Sequence, residues 1–134
     1  MILIIDTVSE KKFVALKDRN SLKLKTLSNN ADLTNELEQR IKSLISKKLL
    51  KKIDRIVVNI GPGGFTATRS GVSFANAMAF ALKIPVISVK KQQNVLQWVK
   101  KNYSKISKIQ KNKFAKPYYS QKPNITQPRP FFKK

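Results

Sequence analysis

The sequence predicts an α/β fold in which helices pack against a mixed five-stranded sheet. Two long segments, residues 32–52 and 66–83, carry apolar side chains at helical spacing. Short apolar segments of strand length lie before, between and after them. Because a strand, a helix and a strand follow one another, the later strands should be joined by a parallel, right-handed crossover.

The opening residues predict a three-stranded antiparallel meander. Residues 1–8 form an apolar run that is typical of a central strand buried on both faces. Lys12–Leu16 follows, and in Leu22–Leu27 leucine alternates with lysine, which indicates a half-exposed strand. Residues 18–21 are turn formers and connect these two strands.

The first long helix is predicted from Asp32 to about Lys52, with Asn30 or Asp32 as its N-cap. Acidic residues lie near its start and lysines near its end, which matches the helix dipole. Its apolar positions recur at helical spacing: Leu33, Leu37, Ile41, Leu44, Ile45 and Leu49. A further strand is predicted from Arg55 to Ile60.

A glycine-rich corner, residues 61–66, joins that strand to the next helix. Its three glycines permit positive φ, Pro62 fixes one φ, and Thr66 is the predicted N-cap. One interpretation is a tight strand-to-helix connection. The other is an anion site at the helix N-terminus, with candidate residues Asp6, Gly61, Gly63, Gly64, Thr66 and Arg69.

Asp6 is the one acidic residue predicted to lie beside the corner. A single carboxylate without a partner is expected to be structural, bonded to the amides of residues 61–64 or to Arg69. The chain contains no histidine and no cysteine, which removes the usual general base near neutral pH and the commonest metal ligands. The sequence therefore predicts a protein without catalytic residues, metal or cofactor.

The second long helix, Thr66 to about Lys83, is apolar on nearly all sides and is expected to be buried on nearly all sides. A ridge of small residues follows every fourth position, namely Ala67, Gly71, Ala75 and Ala79. Such a ridge allows another helix to approach closely. The neighbouring helix could be the first helix of the same chain or a helix of a second chain.

Ile84–Val89 is predicted as the last strand, and residues 92–101 as a further helix. After Tyr103 the periodicity ends, and prolines, lysines and scattered aromatics follow, so residues 104–134 are expected to form an extended tail. The predicted division is a folded domain, residues 1–103, and a basic tail.

Charge predicts an anionic partner. Lysine and arginine number 28 against 7 acidic residues, a net charge of +21, and Asp54 is the last acidic residue. Compositional drift would explain the lysines but not the missing acids. The absence of cysteine fits a reducing compartment, and no segment reaches the roughly 20 apolar residues of a membrane span. We expect a cytoplasmic protein without a membrane partner.

Three segments resemble the TsaB (YeaZ) family. The corner and its helix, GPGGFTATRSGVSFANAMAFALKIPVISV, resemble the family's GPGSFTGLR region and the helix and strand after it. MILIIDT resembles the family's opening MILAIDTS, and residues 116–119 with 123–126 resemble its closing segment. The chain departs from the pattern at Gly64, where the family has serine, and at Ala67-Thr68, where it has Gly-Leu.

The resemblance implies one ribonuclease H-like, or actin-like, half without the family's second domain. It also implies a non-catalytic scaffold that binds and activates the paralogue TsaD, with TsaE, in making threonylcarbamoyladenosine in tRNA. Alone, such a chain could form a homodimer. Two alternatives stay open: an independent basic RNA-binding module, and a degenerate peptidase or ATPase.

Two surfaces are predicted for these partners. A helical interface with TsaD or a second copy is expected to use residues of the first two helices: Leu37, Ile41, Ala67, Gly71, Ala75, Met78 and Ala79. RNA contact within the complex is expected from the tail, through Lys105, Lys108, Lys111, Lys113, Lys116, Tyr118 and Tyr119. The rival interpretation is that the tail lies along TsaD or along its own sheet.

Overall fold

The computed structural model describes residues 1–28, 32–90, 94–109 and 114–119. Its five strands form a single mixed sheet in the order β3-β2-β1-β4-β5. The strands are β1 (Ile2–Asp6), β2 (Phe13–Lys17), β3 (Leu22–Thr26), β4 (Arg55–Gly61) and β5 (Val86–Lys90). The predicted α/β class and the mixed five-stranded sheet are confirmed.

The predicted meander and crossover are both present. β1 pairs antiparallel with β2, matching Ile2 with Lys17, and β2 pairs antiparallel with β3. β4 lies parallel to β1 on the other side, matching Ile2 with Arg55, and β5 lies parallel to β4. All five residues of β1 are buried, as expected for an apolar strand in the centre of a sheet.

The helices are α1 (Leu33–Leu44), α2 (Lys47–Leu50), α3 (Phe65–Leu82), α4 (Val95–Lys101) and α5 (Tyr103–Ser107). Asp32 caps α1, because its side chain accepts a hydrogen bond from the amide of Asn35 at 3.3 Å. The alternative cap, Asn30, and the predicted start of α4 at residue 92 lie outside the described residues.

The expectation of one helix from Asp32 to Lys52 is wrong in its second half. α1 ends at Leu44, because Ile45 takes an extended conformation. Ser46 then starts the separate helix α2 by accepting a hydrogen bond from the amide of Leu49 at 3.2 Å. A serine side chain that caps a new helix competes with continuation of the preceding helix. The spacing of apolar residues does not reveal such a break.

The predicted N-cap of α3, Thr66, is also corrected. The helix begins one residue earlier, at Phe65, and its cap is Gly64, which has no side chain to accept an amide. At the other end Lys83 takes a left-handed conformation, with φ of 56°, and its amide bonds to the carbonyls of Ala79 and Phe80.

Each face of the sheet carries its own apolar layer. One layer contains Leu3, Ile5, Ile56 and Val58 from the strands and is covered by α1 and α3. The opposite layer contains Ile2, Ile4, Val57 and Val89 and is covered by α4 and α5. β3 was expected to be half exposed, but all five of its residues are exposed, because neither apolar layer extends over this edge strand.

Ordered structure continues past the expected start of the tail. α5 occupies residues 103–107, and its Ile106 is fully buried in the second layer. Arg55 anchors this helix, since its Nε donates to the carbonyl of Ile106 at 3.2 Å and its Nη2 to that of Ser107 at 2.9 Å. The division of the chain at residue 103 stays a prediction, but α5 continues the ordered structure and contributes Ile106 to the core.

Candidate functional site

The glycine corner lies where β4 ends and α3 begins. Gly61 has φ of 105°, a conformation that side-chain-bearing residues rarely adopt. Its amide donates to the Oδ1 atom of Asn59 at 3.0 Å, and Asn59 itself is fully buried. The corner is therefore fixed by a hydrogen bond from the strand that precedes it.

Asp6 stabilises the neighbouring turn after β1. Its Oδ1 atom accepts the amides of Val8 at 3.0 Å and Ser9 at 2.9 Å, and its Oδ2 atom accepts the Ser9 hydroxyl at 2.7 Å. The carboxylate is 1% exposed. The expected structural role agrees with these contacts, but the expected partners were wrong: the carboxylate bonds to the turn that follows it in sequence, while Arg69 is exposed on α3.

Residues 114–119, which we call the strap, run along α3 towards the corner. The side chain of Asn76 holds both polar groups of Ala115, donating to its carbonyl at 2.9 Å and accepting its amide at 2.8 Å. Ala115 is 5% exposed. The described part of the tail therefore packs on its own domain, as the rival interpretation of the tail proposed.

The far end of the strap covers the corner itself. The amide of Tyr118 donates to the carbonyl of Ile60 at 2.7 Å, and Tyr119 forms a parallel bridge with Gly63. The Tyr119 ring stacks on Phe65 with 4.7 Å between the centroids. A Cβ atom on Gly61 would overlap the Tyr118 carbonyl, so only glycine allows the strap to approach this closely.

These contacts divide the six candidate anion-site residues. Gly61 and Gly63 lie under the strap, and Asp6 belongs to a different turn. Thr66 and Arg69 line an open groove of about 430 Å³ between the N-terminal ends of α1 and α3. Gly64 is exposed, with nothing within 4 Å of the Cβ position. The anion site stays a prediction, and the structure brings together only its Thr66 and Arg69.

The residues predicted for a partner interface lie mostly inside this chain. Five of the seven are buried, and Ala67 and Met78 are half buried; the buried ones are Leu37, Ile41, Gly71, Ala75 and Ala79. The ridge faces the sheet, where Thr7 donates to the carbonyl of Ala67 at 2.6 Å. The interface itself stays a prediction.

α3 is not buried on nearly all sides, as its composition had indicated. Phe80 is 75% exposed and Phe65 50% exposed. Phe80 lines an apolar groove of about 370 Å³ together with Phe114 of the strap. The reason is that the sheet and α1 cover only the side of α3 that carries the small residues.

The lysines predicted to contact RNA are separated by the fold. Lys105 and Lys108 lie exposed on or just after α5, Lys116 is exposed on the strap, and Lys111 and Lys113 lie outside the described residues. Tyr118 is 51% exposed, and Tyr119 is already stacked on Phe65. Lys100 and Lys101 of α4 are exposed as well, and they were not among the predicted residues because the prediction took its lysines only from the tail after Tyr103.

Among residues 1–28, 32–90, 94–109 and 114–119, no three acidic, histidine or cysteine side chains lie close enough to hold a metal ion. Within the same part of the chain, no helix combines the length and the apolar content that crossing a membrane requires.

The sheet order and the glycine corner define the class of protein. A β-β-β-α-β-α-β chain with strand order β3-β2-β1-β4-β5 is one half of an actin-like, ribonuclease H-like fold. Residues 30–109 match the family model described as TsaD, tRNA N6-adenosine threonylcarbamoyltransferase. The chain therefore belongs to this family.

Solved structures agree with the predicted resemblance. The chain is similar to YeaZ from Pseudomonas aeruginosa, with 25% sequence identity and a TM-score of 0.65. A second structure has the same identity and TM-score; it is described as an uncharacterized protein with similarity to peptidase YeaZ from Pseudomonas aeruginosa. Each match covers 77% of this chain and 49% of the other, so the chain spans about half the length of these structures. A comparison with curated proteins found no match.

Proposed function

We propose that this chain is a non-catalytic, TsaB-type subunit that binds and activates TsaD in forming threonylcarbamoyladenosine in tRNA, with TsaE as a further partner. The observation that carries the non-catalytic part is the state of Asp6. Asp6, the acidic residue that was predicted to lie beside the corner, uses both carboxylate oxygen atoms in hydrogen bonds to its own turn and is 1% exposed. The chain also contains no histidine that could replace it.

Membership of the TsaD family supports a role in forming threonylcarbamoyladenosine in tRNA, and the similarity to YeaZ supports a TsaB-type subunit. By the resemblance, the TsaB family acts through TsaD rather than alone. A cytoplasmic location belongs to the same proposal.

We place the partner on the outer side of α1 and α3. The buried residues of the predicted interface pack between these helices and the sheet. Met78 and Phe74 are only half buried, so they are the apolar side chains of α3 that we assign to the contact with the partner. Half-buried apolar side chains on a helix can complete their burial against another helix.

Co-purification with the TsaD of the same cell tests the proposal. We expect a complex on size-exclusion chromatography, and tRNA modification by mass spectrometry of nucleosides only when TsaD is present. Met78→Arg should leave a folded monomer that no longer binds TsaD. Ala75→Arg is the contrasting variant: Ala75 is fully buried, so this variant should unfold.

Modification of tRNA by this chain without TsaD, lost in Asp6→Ala, would contradict the non-catalytic role. Undiminished binding of Met78→Arg to TsaD would place the interface elsewhere. The second candidate function, a stand-alone RNA-binding module, is favoured by the exposed lysines of α4 and α5. RNA affinity of the parent protein that does not change when TsaD is added would support it.

A further inference from the structure

α4 and α5 follow each other directly, and Asn102 is both the C-cap of α4 and the N-cap of α5. The amide of Asn102 donates to the carbonyl of Trp98 at 2.9 Å, and the amide of Ile106 donates to the carbonyl of Asn102 at 2.9 Å. The first bond closes α4 and the second opens α5, and buried residues of both helices, Val95, Val99 and Ile106, pack in the same apolar layer on one face of the sheet. Side chains of α4 and α5 therefore share a common inner and outer side.

The outer side is a stripe of lysines. At roughly 100° per residue, the exposed lysines fall within an arc of about 140°. We call this set the lysine stripe; its members are Lys100, Lys101, Lys105 and Lys108. The opposite side is apolar and buried, with Val95, Val99 and Ile106 packed on the sheet.

Within the part of the chain that the structure describes, no acidic side chain forms a salt bridge with a lysine of the stripe. α4 and α5 contain none, because Asp54 is the last acidic residue of the chain. Asp54 lies near the base of α5 but pairs with the amino group of Met1 at 3.2 Å and lies 3.9 Å from Arg55. Burial raises the pKa of the Tyr103 phenol, and the nearby Asp18 and Asp54 raise it further. Asp18 in turn accepts the amide of Arg19 at 2.8 Å.

We propose that the lysine stripe binds the phosphate backbone of RNA, and that in the complex of the proposed function this RNA is tRNA. Closely spaced ammonium groups on a rigid helix neutralise successive phosphates and release their counterions, whatever the base sequence. The inference rests on the proposed function only for the identity of the RNA. It also places the contact on α4, α5 and the residue that follows them rather than on the strap.

The same surface does not fit a membrane. A helix that lies on a bilayer inserts an apolar face, and the apolar face of α4 and α5 is already buried against the sheet. Between the lysines the exposed residues are polar, Gln97 and Ser104. A polyanion that contacts only the outer side is the partner that this surface fits.

The test is the salt dependence of tRNA binding by the full chain, measured by fluorescence anisotropy. The stripe variant is K100Q/K101Q/K105Q/K108Q. The matched control is K47Q/K48Q/K51Q/K52Q, which removes the same number of charges from exposed positions in and just after α2. Circular dichroism melts establish that both variants fold.

If all four lysines contact phosphates, the slope of log K against log salt should become shallower by about 3 to 4 in the stripe variant. The control should change the slope by less than about 1. If the slope became shallower by the same amount in both variants, net charge alone would explain the effect and the proposal would be overturned. An unchanged slope in the stripe variant would also overturn it. Loss of binding to anionic vesicles, with tRNA binding intact, would assign the stripe to a membrane and also overturn it.

These outcomes are independent of TsaD, because tRNA binding is measured on the isolated chain. If co-purification with TsaD fails while the stripe variant loses tRNA affinity, the proposed function fails and the RNA surface stands. If the complex forms and binds tRNA equally well with either variant, the RNA surface fails and the proposed function stands.

Discussion

Gly71→Ala tests whether the small-residue ridge of α3 is part of this chain's own core. Gly71 is buried against the end of β1, and a Cβ atom built on it would overlap Oγ1 of Thr7. The methyl group of Thr7 would also lie only 3.1 Å away. Thr7 is fully buried and donates to the carbonyl of Ala67 at 2.6 Å, so it cannot move without losing this bond.

Three contributions determine how much Gly71→Ala should change the free energy of unfolding. Overpacking of a dense core costs about 1 to 3 kcal/mol. Displacing the Thr7 hydroxyl from its hydrogen bond costs about 1 kcal/mol more. Replacing glycine by alanine in a helix interior stabilises the helix by about 1 kcal/mol, which offsets part of this loss. Gly71→Ala should therefore lower the free energy of unfolding by about 1 to 3 kcal/mol, although alanine is the better helix former.

Urea denaturation of four proteins measures this effect: the parent, Gly71→Ala, Thr7→Ala and the double variant. Thr7→Ala removes the two atoms nearest to the new methyl group, Oγ1 and the methyl carbon, and leaves Cβ of residue 7 at 3.2 Å. The double variant should therefore be more stable than the sum of the single changes predicts, by about 1 to 2 kcal/mol.

Two results would refute this reasoning. A Gly71→Ala variant as stable as the parent would mean that α3 stands further from β1 than described. Strict additivity of the two changes would mean that the loss arises elsewhere than at Thr7.

The other predictions concern the two ends of the strap's path along α3. Gly64→Ser should raise the free energy of unfolding by about 0.5 to 1 kcal/mol, because φ is −59°, the Cβ position is free and the first turn of α3 has no side-chain cap. Gly64→Ala restricts the unfolded chain in the same way but lacks the capping oxygen, so it should stabilise less than Gly64→Ser, and equal urea midpoints for the two variants would contradict the capping argument. Asn76→Ala should speed chymotrypsin cleavage after Phe114, since it removes both hydrogen bonds to Ala115. Ser73→Ala, on the exposed side of α3, is its control, and matching cleavage rates would show that other contacts hold the strap.

Elements whose signal is local could be predicted from the sequence. The apolar run of β1, the leucine–lysine alternation of β3 and the capping residue Asp32 each determine their structure through neighbours in sequence. The glycine corner was placed correctly for the same reason, since Gly61 has the positive φ that its residue type permits.

What sequence reasoning missed depends on contacts between distant residues. The strap is held by Asn76 and Ile60, and nothing in residues 114–119 identifies these partners. Asp6 was assigned to the corner because both lie at the same edge of the sheet. Its carboxylate instead accepts hydrogen bonds from its own turn, no further along the chain than Ser9. For the ridge of α3 the sequence left open whether its neighbour is the same chain or a second chain, because composition does not show which side of the helix meets the sheet.

The central position of β1 has a consequence for synthesis of the chain. Ile2 pairs with Lys17 in β2, which is made soon afterwards, but its other neighbour, Arg55 in β4, is made much later. Until then one edge of β1, whose first four residues are apolar, has unpaired amides and carbonyls, and such edges pair readily with other chains. Association between nascent chains should therefore involve the first strand, and the yield of folded protein should depend on how soon β4 reaches it.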